Sequence, residues 1–582
     1  MLSPHPYPLP KGEGVTCEFL ARDKKTIALV FDVISIRDEN RHADHPSPAE
    51  RAPKLRGKYW LIIIISAIVL AFALYINGLS KNPPGFYVDE SGIAYNAFLI
   101  AHTGKGEFGQ RFPLFFQFYT NGWTEWANPT QIYLLAIPFR FFRPSIHLAR
   151  IYGAFWVFLA CLLLGFLAKQ ISGRRIVAVL VALLALVTPW LFEVSRLVFE
   201  TFFYPAALTL FLLSVYFAQR KQKWSWFNVG MLAATLMLLT YSYTIGRLLG
   251  PLLAFSLLLF LTSWKRLIAI AKTWVIYGVT LIPLLIFKLK HPEVLTQRFY
   301  SVSYIKPDSH WREIVPKFFR RYLEDFSVVS LLIDGDGNPR HHVPGSLGSF
   351  LFGVFVLSII GLVVVFVCYW RDPWWRFVVF GTLVSIVPGA LTADQFHSLR
   401  LIAYPVFLLV LTIPALQYLL GRQSRAIESP QSNETFGLLI ESRSRSLPAL
   451  ARRVTLLVLL AATAAQALYF QRIFRREGPK REWVFDADYK AVYDAAIALP
   501  NRPIYLIDGS SPAYVHAYWY ATVEGRDRAQ FVHLEDESVP YGAIVISSTQ
   551  NCDDCEVIKK SGEYIVYRAR WPTVTVPLRK RK

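Results

Sequence analysis

Long apolar runs alternate with short polar connections along most of the chain. The hydrocarbon core of a bilayer is about 30 Å thick, so a helix needs about 20 apolar residues to cross it. The pattern therefore predicts a polytopic α-helical membrane protein with about eleven spans, whose two ends lie on opposite sides of the membrane. The spans are predicted at residues 59–76, 148–168, 176–192, 201–218, 227–243, 248–261, 267–287, 350–369, 377–391, 401–420 and 454–470.

Two segments depart from this pattern. The apolar stretch 132–142 is too short to cross a bilayer and contains Pro138, so we expect a helix on the outer membrane surface, within the first long loop. The apolar runs end near residue 473, and the remaining chain predicts a small α/β domain. Its predicted elements are a helix at 486–499 and strands at 503–507, 543–547 and 564–567.

These patterns divide the chain into three parts. We expect 1–57 to be a disordered cytoplasmic tail, 58–473 to be the transmembrane domain, and 474–582 to be the α/β domain. The opening SPHPYPLPKGEG is typical of a translated intergenic repeat, which predicts that the true start lies downstream.

The composition excludes several classes of protein. Of the 582 residues, 54% are hydrophobic and only 18% are charged, which excludes intrinsic disorder and a disulfide-dense scaffold. The net charge of +21 would suit nucleic acid, but the basic residues lie in short clusters between apolar runs, where membrane topology needs them. We therefore expect membrane lipid, and no nucleic acid, as a partner.

The basic clusters also predict the orientation. They precede the first span and recur at every second connection, as at Arg174 with Arg175 and Lys265 with Arg266. The positive-inside rule then places the N-terminus in the cytoplasm. The long loops 77–147 and 288–349 and the C-terminal domain are predicted to face outward from the plasma or inner membrane. In that domain Cys552 and Cys555 form a CxxC, for which a disulfide or a reduced pair are both open.

Ionisable groups beside apolar spans are costly unless they are paired or solvated in a cavity, so they mark candidate sites. Asp89 and Glu90 follow the first span in GFYVDESGIAYNAF, where Tyr95 is one of several aromatic neighbours. A carboxylate in such a setting suits a general base. The alternative is that Asp89 or Ser91 caps the following helix.

Five more segments on the same predicted face carry such groups, and each has a structural alternative. Arg196 and Glu200 have the spacing of an intrahelical ion pair, and Arg247 that of an interface anchor. The loop 335–350 is rich in Gly and Pro and could be a tight turn. The other groups, which interface anchoring or an aromatic belt would also explain, are Arg340, His341 and His342 in that loop, then Asp394, His397 and Arg400, and lastly Glu125 and Asn128.

Taken together, carboxylates and several Arg and His side chains collect on one membrane face. Arg suits phosphate because its planar fork donates two hydrogen bonds and keeps its charge. The set therefore suits a phosphate-bearing lipid together with a hydroxyl nucleophile. The sequence contains no Walker A loop, GxGxxG, HExxH or GxSxG pattern that would indicate a nucleotide, zinc or acyl-transfer enzyme.

These segments resemble a known family. FYVDESGIAYNAF, WANPTQIYLLAIPFRFF, PWLFEVSRLVFET, YSYTIGR, GDGNPRH and FHSLR, in this order, are similar to motifs of bacterial family 39 glycosyltransferases of the GT-C superfold. Those are relatives of protein O-mannosyltransferases and aminoarabinose transferases. The resemblance covers residues 59 to 420.

The resemblance implies an inverting glycosyltransferase that moves one sugar from a polyprenyl-phosphate carrier to an extracytoplasmic hydroxyl. It implies Asp89 as the base, with Glu90 and Glu200 in the same site. Donor phosphate binding is implied for Arg247, Arg340, His341, His397 and Arg400, with Tyr95, Glu125, Asn128 and Arg196 in support. The acceptor is open among lipid, polysaccharide and protein.

Two other functions suit the same charged groups. A lipid-linked saccharide flippase or transporter would bind the same carrier, although transporters usually place their polar groups near the bilayer midplane. An oligosaccharyltransferase or polymerase would add an acidic metal-binding loop, for which Asp334 and Asp336 leave room. We expect no metal ligands and no required cofactor, with a divalent metal left open.

Overall fold

The computed structural model describes residues 53–119, 125–292, 294–421, 448–509, 511–534, 539–549 and 555–570. The chain divides into two units, residues 1–75 and 76–582. In the first unit the described element is the helix Pro53–Tyr75. Most of the predicted cytoplasmic tail, and Cys552 of the CxxC motif, lie outside the described residues.

A helix coincides with each predicted span. These helices are Pro53–Tyr75, Ile146–Ser172, Arg175–Val187, Tyr204–Gln219, Trp226–Ser242, Gly246–Ser256, Trp264–Lys290, Phe352–Val364, Pro373–Val384, Tyr404–Leu419 and Ala449–Glu477. Among the described residues, four helices have the length and apolar character to cross a membrane: Ile146–Ser172, Trp264–Lys290, Phe352–Tyr369 and Ala449–Lys480. The prediction of a multi-pass helical membrane protein is confirmed, while the number of crossings stays a prediction.

Prolines interrupt two of the predicted spans. The helix Arg175–Val187 ends before Thr188, and Pro189 begins a separate short helix, Pro189–Val194. Likewise Pro373–Val384 is followed by the separate turn Val387–Ala390, which contains Pro388. Proline has no N–H to donate and fits best in a first helical turn, so it ends one helix and starts the next. The predictions of continuous spans at 176–192 and 377–391 are therefore wrong.

Further helices lie outside the predicted spans. The predicted helix at 132–142 is confirmed as Pro129–Phe141, and its place on the membrane surface stays a prediction. In the same loop, strands β1 (Phe116–Phe118) and β2 (Glu125–Ala127) pair antiparallel. The remaining α-helices among the described residues are Val88–Thr103, Val294–Val302, Trp311–Glu324, Tyr489–Ile497 and Tyr514–Glu524.

The C-terminal segment contains an α/β fold, as predicted. Its five strands are β3 (Ile504–Ile507), β4 (Phe531–Leu534), β5 (Ile544–Ser547), β6 (Cys555–Ser561) and β7 (Tyr564–Ala569), in the order β4-β3-β5-β7-β6. Strand β3 runs parallel to β4 and β5, while β7 is antiparallel to β5 and β6. Strands β4 and β6 and the helix Tyr514–Glu524 were not predicted.

The C-terminal segment shares a hydrophobic core with the helices that precede it. Its helix Tyr514–Glu524 packs on Val88–Thr103, the helix that carries Asp89. The Trp519 and Phe86 ring centroids are 5.5 Å apart, and those of Tyr518 and Tyr95 are 5.6 Å apart. This contact fixes the Asp89 helix between the membrane helices and the C-terminal segment.

Candidate active site

A cavity of about 720 Å³ is lined by residues from all six polar segments that the sequence singled out. Its charged and imidazole side chains are Asp89, Glu125, Glu200, Arg247, Arg298, Arg340, His341, Asp394, His397 and Arg400. Aromatic side chains complete the wall: Tyr87, Phe118, Trp126, Phe199, Tyr243 and Phe299. Four residues predicted for the site lie outside this lining: Glu90, Tyr95, Asn128 and Arg196.

Asp89 is half-buried in the first turn of its helix, at the cavity wall. Its Oδ1 accepts a hydrogen bond of 2.7 Å from the Tyr119 hydroxyl. The N-cap of the helix is Tyr87, whose N–H donates to Glu90 Oε2 at 3.0 Å. The interpretation of Asp89 or Ser91 as the cap is therefore wrong, and the Asp89 carboxylate is left at the cavity wall.

Glu90 anchors this helix instead of facing the cavity. Its Oε2 lies 2.9 Å from Arg150 Nη2, and its Oε1 accepts the Val198 N–H at 3.0 Å. The side chains of Arg150 and Glu90 are 1% and 0% exposed. A carboxylate so enclosed cannot reach a substrate, so the prediction of Glu90 as a catalytic group is corrected to a positioning group. Breaking such a pair typically costs about 3–5 kcal/mol.

The C-terminal segment holds the same turn of helix. Asp486 Oδ2 accepts the Val88 N–H at 2.9 Å, and Ser91 Oγ lies 2.9 Å from His516 Nδ1. Burial alone would raise the pKa of Asp486, but hydrogen bonds from His516 and Tyr564 lower it. A charged carboxylate therefore faces the N-terminal end of the Asp89 helix, where the helix dipole favours negative charge.

Asn128 connects Glu200 to Arg247. Glu200 accepts hydrogen bonds from the Asn128 backbone N–H at 2.6 Å and from its Nδ2 at 2.7 Å. Asn128 Oδ1 in turn accepts Arg247 Nη2 at 2.8 Å. Burial raises the pKa of Glu200, against the opposing effect of Asn128 and Arg247. Arg247 Nε is buried and has no hydrogen-bond partner among the described residues.

Arg196 does not form the predicted alternative pair with Glu200. Its guanidinium lies 4.2 Å from the Phe192 ring centroid, and its Nη2 donates to the Asn77 carbonyl at 3.3 Å. The helix Pro189–Val194 ends before Arg196, so the two residues do not share the helical face that an i,i+4 pair needs.

Glu125 and Arg298 form an ion pair across the cavity wall. Burial and the charge of Asp89 raise the pKa of Glu125 to about 7, against the opposing charge of Arg298. Glu125 therefore changes its charge near neutral pH. Asp89 also lines the cavity, and its negative charge disfavours the ionisation of Glu125.

The loop 335–350 brings Arg340 and His341 to the cavity. The Arg340 guanidinium lies 3.5 Å from the Tyr87 ring centroid, and its Nε donates to the Val484 carbonyl at 3.2 Å. Beneath it, His342 Nδ1 lies 2.6 Å from Glu193 Oε2, and both side chains are buried. The tight-turn alternative is correct for part of this loop, because backbone hydrogen bonds from His341 and His342 to Asn338 form a turn. Arg340, in the same loop, lines the cavity.

Asp336 joins this loop to the segment 394–400. Its Oδ2 lies 3.0 Å from His341 Nδ1 and accepts the N–H and Oγ–H of Ser398 at 2.7 and 2.6 Å. Burial alone would raise the pKa of Asp336, but His341, His397 and Ser398 lower it. Burial lowers the pKa of His397 to about 3, with His341 and Arg400 adding to the effect.

Asp394 and Arg400 form an ion pair at the same wall. Their side chains are 56% and 13% exposed, so the guanidinium is largely buried while the carboxylate is open. An anionic ligand can replace an exposed carboxylate as the partner of a buried Arg, because moving that carboxylate into solvent costs little free energy.

The sequence did not point to several residues that complete the site. Tyr119 holds Asp89, Arg298 pairs with Glu125, and Asp336 holds His341. Tyr119 directly follows strand β1, and Arg298 lies in the helix Val294–Val302, and the sequence predicted neither element. The sequence indicated Asp336 only as an acid that leaves room for a metal-binding loop, although its position in GDGNPRH was a further signal.

Comparisons with known proteins give the fold. No family model and no curated protein matches the chain. The chain is similar to two crystal structures of ArnT from Cupriavidus metallidurans. The apo structure has a TM-score of 0.51 at 13% identity, and the structure bound to undecaprenyl phosphate has a TM-score of 0.55 at 11% identity. Both matches cover 88% of this chain and 98% of the other.

These similarities extend over nearly the whole length of the related chains. The GT-C fold predicted from the resemblance is therefore confirmed, while membership of family 39 stays a prediction. The chain is a multi-pass membrane protein with the GT-C fold.

Proposed function

We propose that the protein is a glycosyltransferase that moves a sugar from a polyprenyl-phosphate donor to a hydroxyl acceptor. The observation that carries the proposal is the cavity itself, which is lined by Asp89 together with Arg247, Arg340 and Arg400. A base and a set of fixed cations are what a hydroxyl nucleophile and a phosphate leaving group require. One of the two ArnT structures holds undecaprenyl phosphate, which supports the same class of donor here.

Asp89 is the proposed general base. Its carboxylate takes the proton of the acceptor hydroxyl while the acceptor oxygen attacks the anomeric carbon. The bond between that carbon and the phosphate oxygen breaks, the configuration inverts, and the polyprenyl phosphate leaves with the electron pair. General-base catalysis typically contributes about 10²–10⁴-fold.

Basic side chains are proposed to hold the leaving phosphate. Arg247 has a buried Nε without a partner among the described residues, and Arg400 is paired with an exposed acid that an anion can replace. Arg340, His341 and His397 line the same wall. Glu200 acts on the donor indirectly. It accepts a hydrogen bond from the Asn128 amide, and that amide in turn accepts one from Arg247 and so orients the guanidinium.

The proposed orientation follows from the basic clusters. With the N-terminus in the cytoplasm, the cavity and the C-terminal segment face the extracytoplasmic side of the plasma or inner membrane. Acceptors available there are a lipid, a polysaccharide or a protein. The aromatic wall of the cavity suits a sugar ring or the first prenyl units, because both present apolar C–H groups.

Mass spectrometry of surface glycans tests the proposal. Deletion of the gene should remove one sugar residue from a surface glycan, and the wild-type gene should restore it. Asp89→Asn should accumulate as folded protein and fail to restore it, whereas the exposed Asp308→Asn should restore it. Restoration by Asp89→Asn would contradict the base assignment.

The same experiment separates the alternatives. A flippase or transporter needs no base, so Asp89→Asn would retain function while intact lipid-linked saccharide accumulated on the inner leaflet of the deletion strain. Loss of a whole repeating unit instead of one sugar would favour an oligosaccharyltransferase or polymerase.

A further inference from the structure

Two loops bring a carboxylate and two imidazoles together at the cavity wall. Asp336 and His341 come from the loop 335–350, and His397 comes from the segment 394–400. Each offers one ligand atom, and these three atoms lie within 4.8 Å of one another. His341 and His397 also line the cavity.

Hydrogen bonds within the cluster leave coordinating atoms unused. The Asp336 Oδ2 and His341 Nδ1 are 3.0 Å apart and share a proton that a cation would replace. His397 Nδ1 is buried and has no hydrogen-bond partner among the described residues. The His341 and His397 ring centroids are 4.6 Å apart. A buried ring nitrogen without a partner is rare unless a ligand satisfies it.

Hydrogen bonds from outside the three-residue cluster hold Asp336 in place. Ser398 donates to Oδ2 from its N–H and its hydroxyl, and Asn338 N–H donates to Oδ1 at 2.8 Å. These bonds fix the carboxylate in the way that hydrogen bonds around metal ligands usually do. Only its bond to His341 would be exchanged, since a cation takes the place of the shared proton.

We propose that Asp336, His341 and His397 form a three-ligand site for one divalent transition-metal ion. Two imidazoles and a carboxylate are a donor set that Zn²⁺ and Co²⁺ favour, whereas Mg²⁺ and Ca²⁺ favour oxygen alone. Three protein ligands are also typical of sites that keep a position open for water or substrate.

The metal site would also take part in the proposed glycosyl transfer, and only this role rests on the proposed function. Because two of the ligands line the donor cavity, a bound cation would add charge beside Arg400 and bind a phosphate oxygen of the donor. A cation at this site would be compatible with transfer of one sugar and with transfer of a preassembled glycan, because both reactions release phosphate at the same place.

Cobalt titration of the purified full-length protein, without an affinity tag, tests the site. After removal of metals by a chelator, we expect one Co²⁺ to bind per chain with visible ligand-field absorption, and Zn²⁺ to abolish that absorption. Asp336→Asn and His397→Gln should weaken Co²⁺ binding by roughly tenfold or more. The exposed His147→Gln should bind like the wild type.

Ser398→Ala serves as the second variant, since it removes one bond to Asp336 and keeps all three ligands. It should bind Co²⁺ with at most a modest loss, and its unfolding temperature reports the structural part of the Asp336 role. Absence of saturable Co²⁺ binding by the wild type, or equal binding by the ligand variants, would overturn the site. No donor or acceptor is present, so this outcome leaves the proposed glycosyl transfer untouched.

Discussion

At the scale of single residues, the cavity depends on side chains that act through others. Asn128 does not line the cavity, yet it is bonded to Glu200 on one side and to Arg247 on the other. The carboxylate thereby orients the guanidinium without neutralising it directly. In the proposed function, this separation keeps the charge of Arg247 available to the donor phosphate.

Asn128→Ala tests this link. Without the amide, Arg247 loses the acceptor that orients it, and Glu200 loses one of its two donors, since the backbone N–H of residue 128 remains. Hydrogen bonds to charged groups are worth about 1.5–3 kcal/mol, so affinity for undecaprenyl phosphate should fall by roughly ten- to a hundredfold. Binding of a fluorescent undecaprenyl phosphate analogue measures it, with the exposed Asn501→Ala as control. Unchanged affinity in Asn128→Ala would contradict the orienting role.

Residue chemistry predicted the side chains that line the cavity better than the buried side chains that hold them in place. Asp89, Arg247 and Arg400 stand out because an ionisable group beside an apolar span needs a reason to be there. Arg150, the partner of Glu90, lies inside a run that counts as a span, so its burial looks like membrane topology. The distinction between Glu90 and Asp89 needed coordinates, because adjacent residues on a helix point in different directions.

At the scale of elements, the loop 335–350 is built around one glycine. Gly335 has φ +72° and ψ −153°, a conformation that is essentially restricted to glycine. A Cβ at this position would lie 2.3 Å from the His342 ring. The loop that carries Arg340 and His341 therefore cannot accept a side chain there.

Gly335→Ala should destabilise the protein by more than about 1 kcal/mol, because alanine is strained in this backbone conformation and its Cβ would clash with the His342 ring. The unfolding temperature in detergent measures the effect. Gly337→Ala is the matched control, since its Cβ would meet open space in the same loop. Equal unfolding temperatures for the two variants would contradict this account of the loop.

Elements with one clear period were predicted well, and others were missed. The helix Tyr514–Glu524 is buried on nearly all sides, so its sequence YVHAYWYATVE shows no polar face at a helical period. Its Tyr, Trp and Val residues also favour strands. The breaks at Pro189 and Pro388 were readable as helix starts, but continuous hydropathy concealed them.

At the scale of the whole molecule, the first loop and the C-terminal segment share buried polar groups. Glu107 is 9% exposed, and its N–H donates to Asn96 Oδ1 at 2.9 Å. Burial raises the pKa of Glu107 from 4.5 to about 7, against the opposing effect of hydrogen bonding with Tyr514 and the charge of Arg528. The contact between the two regions therefore includes an acid that is neutral below neutral pH.

This predicts a pH dependence of stability. The folded state holds the Glu107 proton more tightly than the unfolded state, so the stability from this group is complete below about pH 4.5 and is lost as pH rises through about 7. The loss is on the order of 3 kcal/mol.

Glu107→Gln should therefore be stabilised relative to the wild type at pH 8 and much less so at pH 4.5. Urea unfolding of the C-terminal segment at the two pH values, with limited proteolysis as the readout of unfolding, measures the difference. The exposed Glu556→Gln should show no such trend. A difference between Glu107→Gln and the wild type that stays constant with pH would contradict the burial argument.

The fold class could be predicted from hydropathy because the thickness of the bilayer sets the length of each apolar run, and this pattern recurs along most of the chain. The docking of the C-terminal segment onto the Asp89 helix could not, since its contacts join residues about 400 positions apart, such as Val88 and Asp486. No local pattern encodes a pairing of that range.

The central claim is that the cavity holds a polyprenyl phosphate, and photocrosslinking tests it most directly. A photoreactive polyprenyl phosphate should label peptides that line the cavity, around Tyr243 to Arg247 and Leu391 to Arg400, and excess undecaprenyl phosphate should prevent the labelling. The double variant Arg247→Ala with Arg400→Ala should lose most of it, while the exposed Arg312→Ala should not. Labelling elsewhere on the protein, or undiminished labelling of the double variant, would contradict the account.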